Sequence, residues 1–278
     1  MKLLYDELSI EVSERTTKKY STSFSLGILC IDKSIRNAIY QIYGFVRIAD
    51  EIVDSFHDFD KESLLDEFEK ETYQSISRKI STNPILNSFQ EVVNKYKIDH
   101  KLIVAFLESM RMDLKKVTYD LSSYNTYIYG SAEVVGLMCL HVFVEGDIKE
   151  YDRLAPEAKK LGSAFQKINF LRDINADSAG LGRVYFPKLD LSTFDNAVKT
   201  EIVQEISEEF DEALLGIKKL PTKAKFGVFL AYSYYRELSN KILKMDAKDL
   251  LLNRASVSKP LKIWLLITSY IRFKFNRL

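Results

Sequence analysis

The sequence predicts an all-α, single-domain protein, and three observations carry that prediction. Apolar residues recur three and four positions apart along nearly the whole chain, the spacing of a buried helix face. Glycine (10) and proline (5) are scarce among 278 residues, so long stretches run without a breaker. Alternating β-branched runs closed by Asn-Gly or Asp-Gly turns are absent.

Taken in order, the periodicity predicts helices at roughly 11–22, 33–56 and 61–80, then at roughly 84–96, 99–116 and 123–144. Further helices are predicted at roughly 151–177, 196–218, 222–245 and 259–275. Asn83-Pro84 separates the third helix from the fourth, and Glu145-Gly146-Asp147 ends the sixth. The longest irregular stretch, Ser178 to Pro187, follows the seventh and is expected to act as a lid over a neighbouring site. No internal repeat, low-complexity tract or Gly/Ser linker divides the chain, so residues 1–278 read as one domain.

Charge narrows the function classes. Forty basic residues face 39 acidic ones, a formal net charge of +1, so the basic excess of a nucleic-acid binder is missing and no nucleic-acid partner is expected. The tail is the exception: Lys259, Lys262, Arg272, Lys274 and Arg277 flank apolar residues there. Its longest apolar run, Leu261 to Phe273, is broken by Lys262 and Arg272 and falls short of the ~20 residues a membrane span needs. The N-terminus shows no signal-peptide apolar region. The expectation is a cytoplasmic protein, with peripheral contact at the inner membrane surface through the basic C-terminal segment. Cys30 and Cys139 sit in apolar runs without metal-ligand spacing. His57 and His100 read as surface residues and His141 as a helix-packing residue; no Ser-His-Asp or Cys-His arrangement is evident.

Two segments carry chemistry. In Ala38 to Asp54, Tyr43, Arg47, Asp50 and Asp54 fall on one face of a helix whose other residues are mostly Ile, Val, Phe and Tyr. In Leu161 to Asp177, Gln166, Asn169, Asp173 and Asp177 form a second such stripe. A single Asp-x-x-x-Asp pair is ordinary on a solvated face. Two of them, each embedded in an apolar helix and each extended by polar neighbours, are not. Magnesium takes oxygen ligands from one or two carboxylates plus substrate phosphates and water, so facing acidic stripes suit a diphosphate substrate. Arg47 and Arg172 add planar forks for phosphate oxygens.

Tyr40 to Asp54 closely resembles the first aspartate-rich motif of the squalene/phytoene synthase family, and Phe165 to Asp177 followed by Gly182-Arg183-Val184-Tyr185-Phe186-Pro187 resembles the second. Ser21-Thr22-Ser23-Phe24, Met110-Arg111-Met112-Asp113-Leu114 and Tyr127 to Gly136 are also similar, as is the tail from Tyr234-Tyr235 through Arg254 to Trp264. The resemblance implies an isoprenoid-synthase-type helical bundle around a central hydrophobic cavity. It implies magnesium, or manganese, held by Asp50, Asp54, Asp173 and Asp177, with Arg47 and Arg172 on phosphate. Ser21, Ser23, Tyr235 and Arg254 are weaker phosphate candidates, and Gln166 and Asn169 would line the pocket near the reacting carbons. Tyr43, Tyr127 and Tyr129 either stand beside cationic intermediates or pack in the core.

The implied reaction joins two prenyl diphosphates head to head through a cyclopropyl diphosphate and releases two diphosphates. Arg111-Met112-Asp113-Leu114 and Val135-Gly136-Leu137-Met138 resemble the bacterial phytoene-forming branch, which uses geranylgeranyl diphosphate. The alternative is a squalene- or dehydrosqualene-forming enzyme acting on farnesyl diphosphate, with NADPH needed for squalene. Asp50-Glu51 and Arg172-Asp173 stand where a chain-elongating synthase carries adjacent aspartates, which counts against that relative. A non-catalytic relative acting in assembly or membrane binding is expected to lack catalytic aspartates, and all four are present. The chain departs from the family at three positions. Thr22 stands in place of a frequent Lys and Lys167 in place of an apolar residue, with Lys167 expected to face away from the cavity. Glu133 stands in place of a small residue, either on the cavity wall or pointing elsewhere.

Overall fold

Helix starts in this chain are chemically marked. Side-chain oxygens of Asp32, Asp60, Asn83, Asp99, Asp120, Asp147, Asp195 and Asp246 each accept a hydrogen bond from an N–H of the helical turn that follows. The computed structural model describes residues 1–115, 119–177, 185–187 and 189–278, apart from the side chains of residues 22 and 23. Among these the elements are α1 (Lys2–Tyr20), α2 (Thr22–Leu29), α3 (Lys33–Ser55), α4 (Lys61–Arg78), α5 (Pro84–Tyr96), α6 (His100–Asp113) and α7 (Leu121–Ile128). A π-helical turn (Tyr129–Glu133) leads into α8 (Val134–Phe143). Then come α9 (Ile148–Ala176), α10 (Asn196–Lys219), α11 (Thr222–Lys244), α12 (Ala247–Leu252) and α13 (Lys259–Lys274). No strand occurs among the described residues, and the all-α prediction holds.

The differences from the predicted elements have physical causes. α1 begins at Lys2 rather than near residue 11, because its buried face is Ser9, Ser13 and Thr17, which carry no hydropathy signal. Those hydroxyls bond back to carbonyls one turn earlier, and Ser13 also pairs with Ser88 of α5 at 2.7 Å. α2 and α12 are short helices outside the predicted set. α9 starts at Ile148 and runs through Pro156, which sits early in the helix. The predicted helix at 123–144 is interrupted by the π turn. Gly130 there presses onto α6 so closely that a Cβ would lie 2.5 Å from the Ala105 carbonyl oxygen. The stretch from Leu121 to Phe143 is long and apolar enough to cross a membrane by composition, yet here it packs as core.

Two large apolar clusters make up most of the interior, beside a small third one of Leu230, Tyr234 and Leu265. The first joins α3 to α6 and α8 around Phe45, whose ring stacks on Phe89 with centroids 3.9 Å apart and touches Phe68 and Phe106. The second joins α7, α9, α10 and α11 around Ile168, Ile206, Phe210 and Phe229. α2 closes one side, held so near α11 that a Cβ on Gly227 would lie 2.6 Å from the Gly27 carbonyl oxygen. Between the clusters lies the central cavity.

His141 on α8 packs as predicted, 3% exposed, with its ring stacked on Tyr151 at 4.0 Å. Neither ring nitrogen has a protein hydrogen-bond partner among the described residues. Burial pushes its pKa below the ordinary 6.5, against the pull of Asp99 and Asp152. The unfolded chain therefore takes up this proton first. The stability contributed by neutral His141 is complete above the ordinary value and is lost as pH falls through the folded one. Between pH 7 and pH 5 the unfolding free energy should fall with a His141 contribution of at most about 1.4 kcal/mol per pH unit. A His141→Phe variant, which keeps a ring against Tyr151, should show a shallower fall; urea titrations at several pH values measure it.

Candidate active site

α3 and α9 build the site because each hides one face in the core and turns a polar edge inward. On α3, Ile35, Ile39, Ile42, Phe45, Ala49, Ile52 and Val53 are buried, which fixes the rotation of the helix about its axis. That rotation sends Tyr43, Arg47, Asp50 and Asp54 to the cavity. On α9, Ala164, Ile168, Phe170, Leu171 and Ile174 are buried, and Gln166, Asn169, Asp173 and Asp177 reach the same cavity. The cavity holds about 770 Å³. Both acidic stripes thus belong to one chamber, a fact that spacing within either helix leaves open.

Each acidic stripe is matched by arginine. Arg47 donates to Asp50 at 2.5 Å and also to Glu51, with its guanidinium 4.3 Å from the centre of the Tyr20 ring. Burial opposes the Arg47 charge, but Asp50 and Glu51 outweigh it and raise the pKa further. On the other helix Arg172 donates to Asp173, and Arg254 reaches the same carboxylate from beyond α12 at 2.6 Å. Burial would raise the Asp173 pKa; the hydrogen bonds from Arg172 and Arg254 win and hold it below the usual carboxylate range. Asp173 is thus held in its charged form with two guanidiniums already beside it.

Behind the charged mouth the wall is aromatic. Phe24, Tyr43, Phe165 and Tyr235 form one group of rings, with Phe165 stacked on Tyr235 at 4.0 Å and Phe24 edge-on to both. The Tyr235 hydroxyl donates to Asn169 at 3.2 Å. Burial pushes the Tyr43 hydroxyl up to about 12, so it stays protonated at neutral pH. A second group stacks Phe170 on Tyr185 at 4.1 Å and Tyr185 on Tyr127, whose hydroxyl donates to the buried Asp113 at 2.7 Å. Deeper in, Ile39, Met110, Leu140, Phe143, Leu154 and Leu161 make the lining aliphatic.

The structure places the predicted residues as follows. Ser21, Arg47, Tyr127, Gln166, Arg172, Tyr235 and Arg254 line the cavity with the four aspartates, Tyr43 and Asn169. Ser21 is also the cap of α2, accepting from the Phe24 N–H. Gln166 is oriented by Ser131 at 3.4 Å. The side chain of Ser23 lies outside the described residues, as do residues 178–184 of the expected lid; Tyr185 and Phe186 at its far end are buried. Tyr129 is a correction. It does not line the cavity, and its ring instead lies 5.3 Å from the Lys159 ammonium. Two residues apart on a helix means about 200° of rotation, so Tyr127 and Tyr129 cannot share a face. Lys167 turns away from the cavity toward Glu205 and Glu209 of α10. Glu133 is not on the cavity wall; burial raises its pKa, with Lys159, Glu209 and Lys167 around it.

Sequence reasoning left out Asp113, Tyr185, Phe24 and Phe165 as site residues, although all four lie inside the motifs quoted above. Tyr20 carried no signal. Among the described residues no three His, Cys, Asp or Glu side chains converge to hold a metal by themselves. Magnesium completes its shell with phosphate oxygens and water, so two carboxylate pairs lining one cavity suit a cation shared with a diphosphate.

The comparisons with known proteins agree with this geometry. Phytoene synthase 1 of Solanum lycopersicum is 26% identical over 282 residues, covering 91% of this chain and 66% of that protein. The chain thus spans about two thirds of its length. The 15-cis-phytoene synthase of Synechococcus elongatus is 26% identical over 288 residues, covering 94% of this chain and 92% of that one. A crystal structure of a dehydrosqualene synthase superposes with a TM-score of 0.82 at 22% identity, covering 97% and 98% of the two chains, which establishes the fold. Residues 17–260 match the squalene/phytoene synthase family, a span that contains both acidic stripes, Arg254 and the helices that carry them. By that match and by a fold that brings those stripes into one cavity, the chain belongs to the squalene/phytoene synthase family.

Proposed function

We propose that the chain is a magnesium-dependent prenyltransferase that joins two geranylgeranyl diphosphates head to head into phytoene, a step toward carotenoids. One observation carries the reading: Asp50, Asp54, Asp173 and Asp177 meet at one cavity whose remaining wall is aromatic and aliphatic. Similarity to phytoene synthases over nearly the whole chain supports the choice of substrate. Lining residues on the α9 side run from Leu154 to Asp177, a reach of about 35 Å at helical rise, which is room for extended prenyl chains rather than for a diphosphate alone.

The residues divide the work by chemistry. Magnesium, or manganese, held between the four aspartates and the diphosphate oxygens, would neutralise charge on the leaving group. Arg47, Arg172 and Arg254 rest on the carboxylates; an arriving diphosphate would give their forks new acceptors, leaving Asp50 and Asp173 to hold the cation. Loss of the first diphosphate leaves an allylic cation, which the second chain's double bond attacks. The rings of Tyr43, Phe24, Phe165 and Tyr235 on the cavity wall would stabilise such positive charge through their quadrupoles. Proton loss then closes the cyclopropyl diphosphate, and a second ionisation rearranges it to the 1–1′ product. Throughout, the apolar lining keeps water from the cations.

Incubation of the purified protein with geranylgeranyl or farnesyl diphosphate, with and without NADPH, should give phytoene from geranylgeranyl diphosphate without NADPH. A chelator should abolish turnover, and added magnesium or manganese should restore it. Squalene or dehydrosqualene from farnesyl diphosphate would move the chain to the other branch of the family. Release of diphosphate without any hydrocarbon product would defeat the proposal.

A further inference from the structure

The C-terminal helix is built unlike the rest of the surface. Residues 254–278 hold six of the chain's 40 lysines and arginines and none of its 39 acidic residues, so the remainder carries an acidic excess. On its inner side α13 buries Leu265 and Ser269, with Tyr270 and Phe273 against Phe226 and the Arg272 guanidinium over Phe229. On its outer side Ile263, Trp264, Ile267 and Ile271, spaced three and four apart, are between 49% and 59% exposed, and Phe275 beyond the helix is 69% exposed. An apolar stripe beside a run of cations is the composition of a helix that lies in a lipid interface.

We propose that α13 anchors the protein to an anionic bilayer surface. The Ile263–Trp264–Ile267–Ile271 face enters the headgroup boundary, and Lys259, Lys274 and Arg277 meet lipid phosphates. Charge selects this occupant. A second copy of the helix would bring two acid-free cationic segments together, which repel. Another exposed apolar stretch, Leu3, Leu4 and Leu8 of α1, stands among Asp6, Glu7 and Glu11 and would be repelled by the same lipid. Position adds a consequence. Arg254, Ser256, Val257 and Lys262 line the central cavity, and Arg254 and Ser256 are exposed, so the segment leading into α13 is a rim between cavity and outside. Seating α13 in lipid sets that rim at the membrane, where a lipophilic substrate arrives and a hydrocarbon product leaves. This consequence rests on the proposed activity; the anchoring does not.

Trp264 is the only tryptophan in the chain, so its emission reports on this face directly. Titrating the full chain with phosphatidylcholine vesicles containing phosphatidylglycerol should shift the emission to the blue and carry the protein into the vesicle pellet. High salt should reverse part of the binding. An Ile263→Asp/Ile267→Asp variant, with helix content and melting temperature checked against wild type, should bind at least about tenfold more weakly. Three outcomes overturn the proposal: no shift, an equal shift on pure phosphatidylcholine, or a shift without vesicles that grows with protein concentration and marks a second copy on this face. Because no substrate is present, an inactive protein that binds vesicles would refute only the activity, and an active one that ignores them only the anchor.

Discussion

An Asp173→Asn variant is expected to lose about a thousandfold in turnover while remaining folded, and Asp50→Asn should do the same. The amide keeps the shape of the side chain but removes the charge that would bind a cation, and with it the stabilisation of the departing diphosphate. Asp173 is the sharper test because its carboxylate is the meeting point of Arg172 and Arg254. Its depressed pKa makes a stabilising contribution that is present above the ordinary value of 3.8 and disappears as pH falls through the folded one. The variant should therefore be slightly less stable than wild type at neutral pH and equal to it in acid. The stability cost stays small because Arg254 is 68% exposed at its side chain and is readily solvated when released. Hydrocarbon product measured by chromatography, beside circular dichroism and thermal melts, separates the two effects. Turnover within tenfold of wild type in both variants would remove these aspartates from the chemistry.

A Lys167→Met variant is expected to lose about 3 kcal/mol of stability. Lys167 follows Gln166 on α9 but turns outward, and its side chain is 7% exposed. Its ammonium bonds Glu205 and, at 2.9 Å, Glu209, which also accepts from the Ser163 hydroxyl at 3.0 Å. Burial works against the lysine charge, and the two glutamates outweigh it. Without the ammonium, the Glu209 carboxylate, 13% exposed, remains in place with a hydroxyl as its nearest donor. Adding Glu209→Gln to Lys167→Met should recover more than half of the loss, because the uncompensated charge and not the missing contact is the main cost. Glu205→Gln alone should cost a few tenths of a kcal/mol, since Glu205 is 64% exposed. Urea unfolding of the four proteins measures the series. If Lys167→Met unfolds at the wild-type midpoint, the α9–α10 charge cluster does not hold the helix that carries Gln166, Asn169 and Asp173.

What the sequence determined by itself is what repeats locally. Helical period placed α3 to α5 within a residue or two, and placed Asp50 with Asp54, and Asp173 with Asp177, on common faces, because one helical turn is set by backbone geometry alone. The resemblance of the two motifs supplied the family. Signals without hydropathy contrast were lost: α1 docks through Ser9, Ser13 and Thr17, whose burial depends on hydroxyls finding carbonyls and on Ser88 across the interface. Only the tertiary structure decided that the stripes of α3 and α9 line one cavity, that Tyr127 and not Tyr129 reaches it, and that Asp113 joins Tyr127 there. Arg254, 81 residues beyond Asp173, lands on its carboxylate only once α12 has packed on α9. Such pairings are set by how helices rotate and pack against one another. Rotation is fixed by the summed burial of whole faces, and no short stretch of sequence encodes that sum.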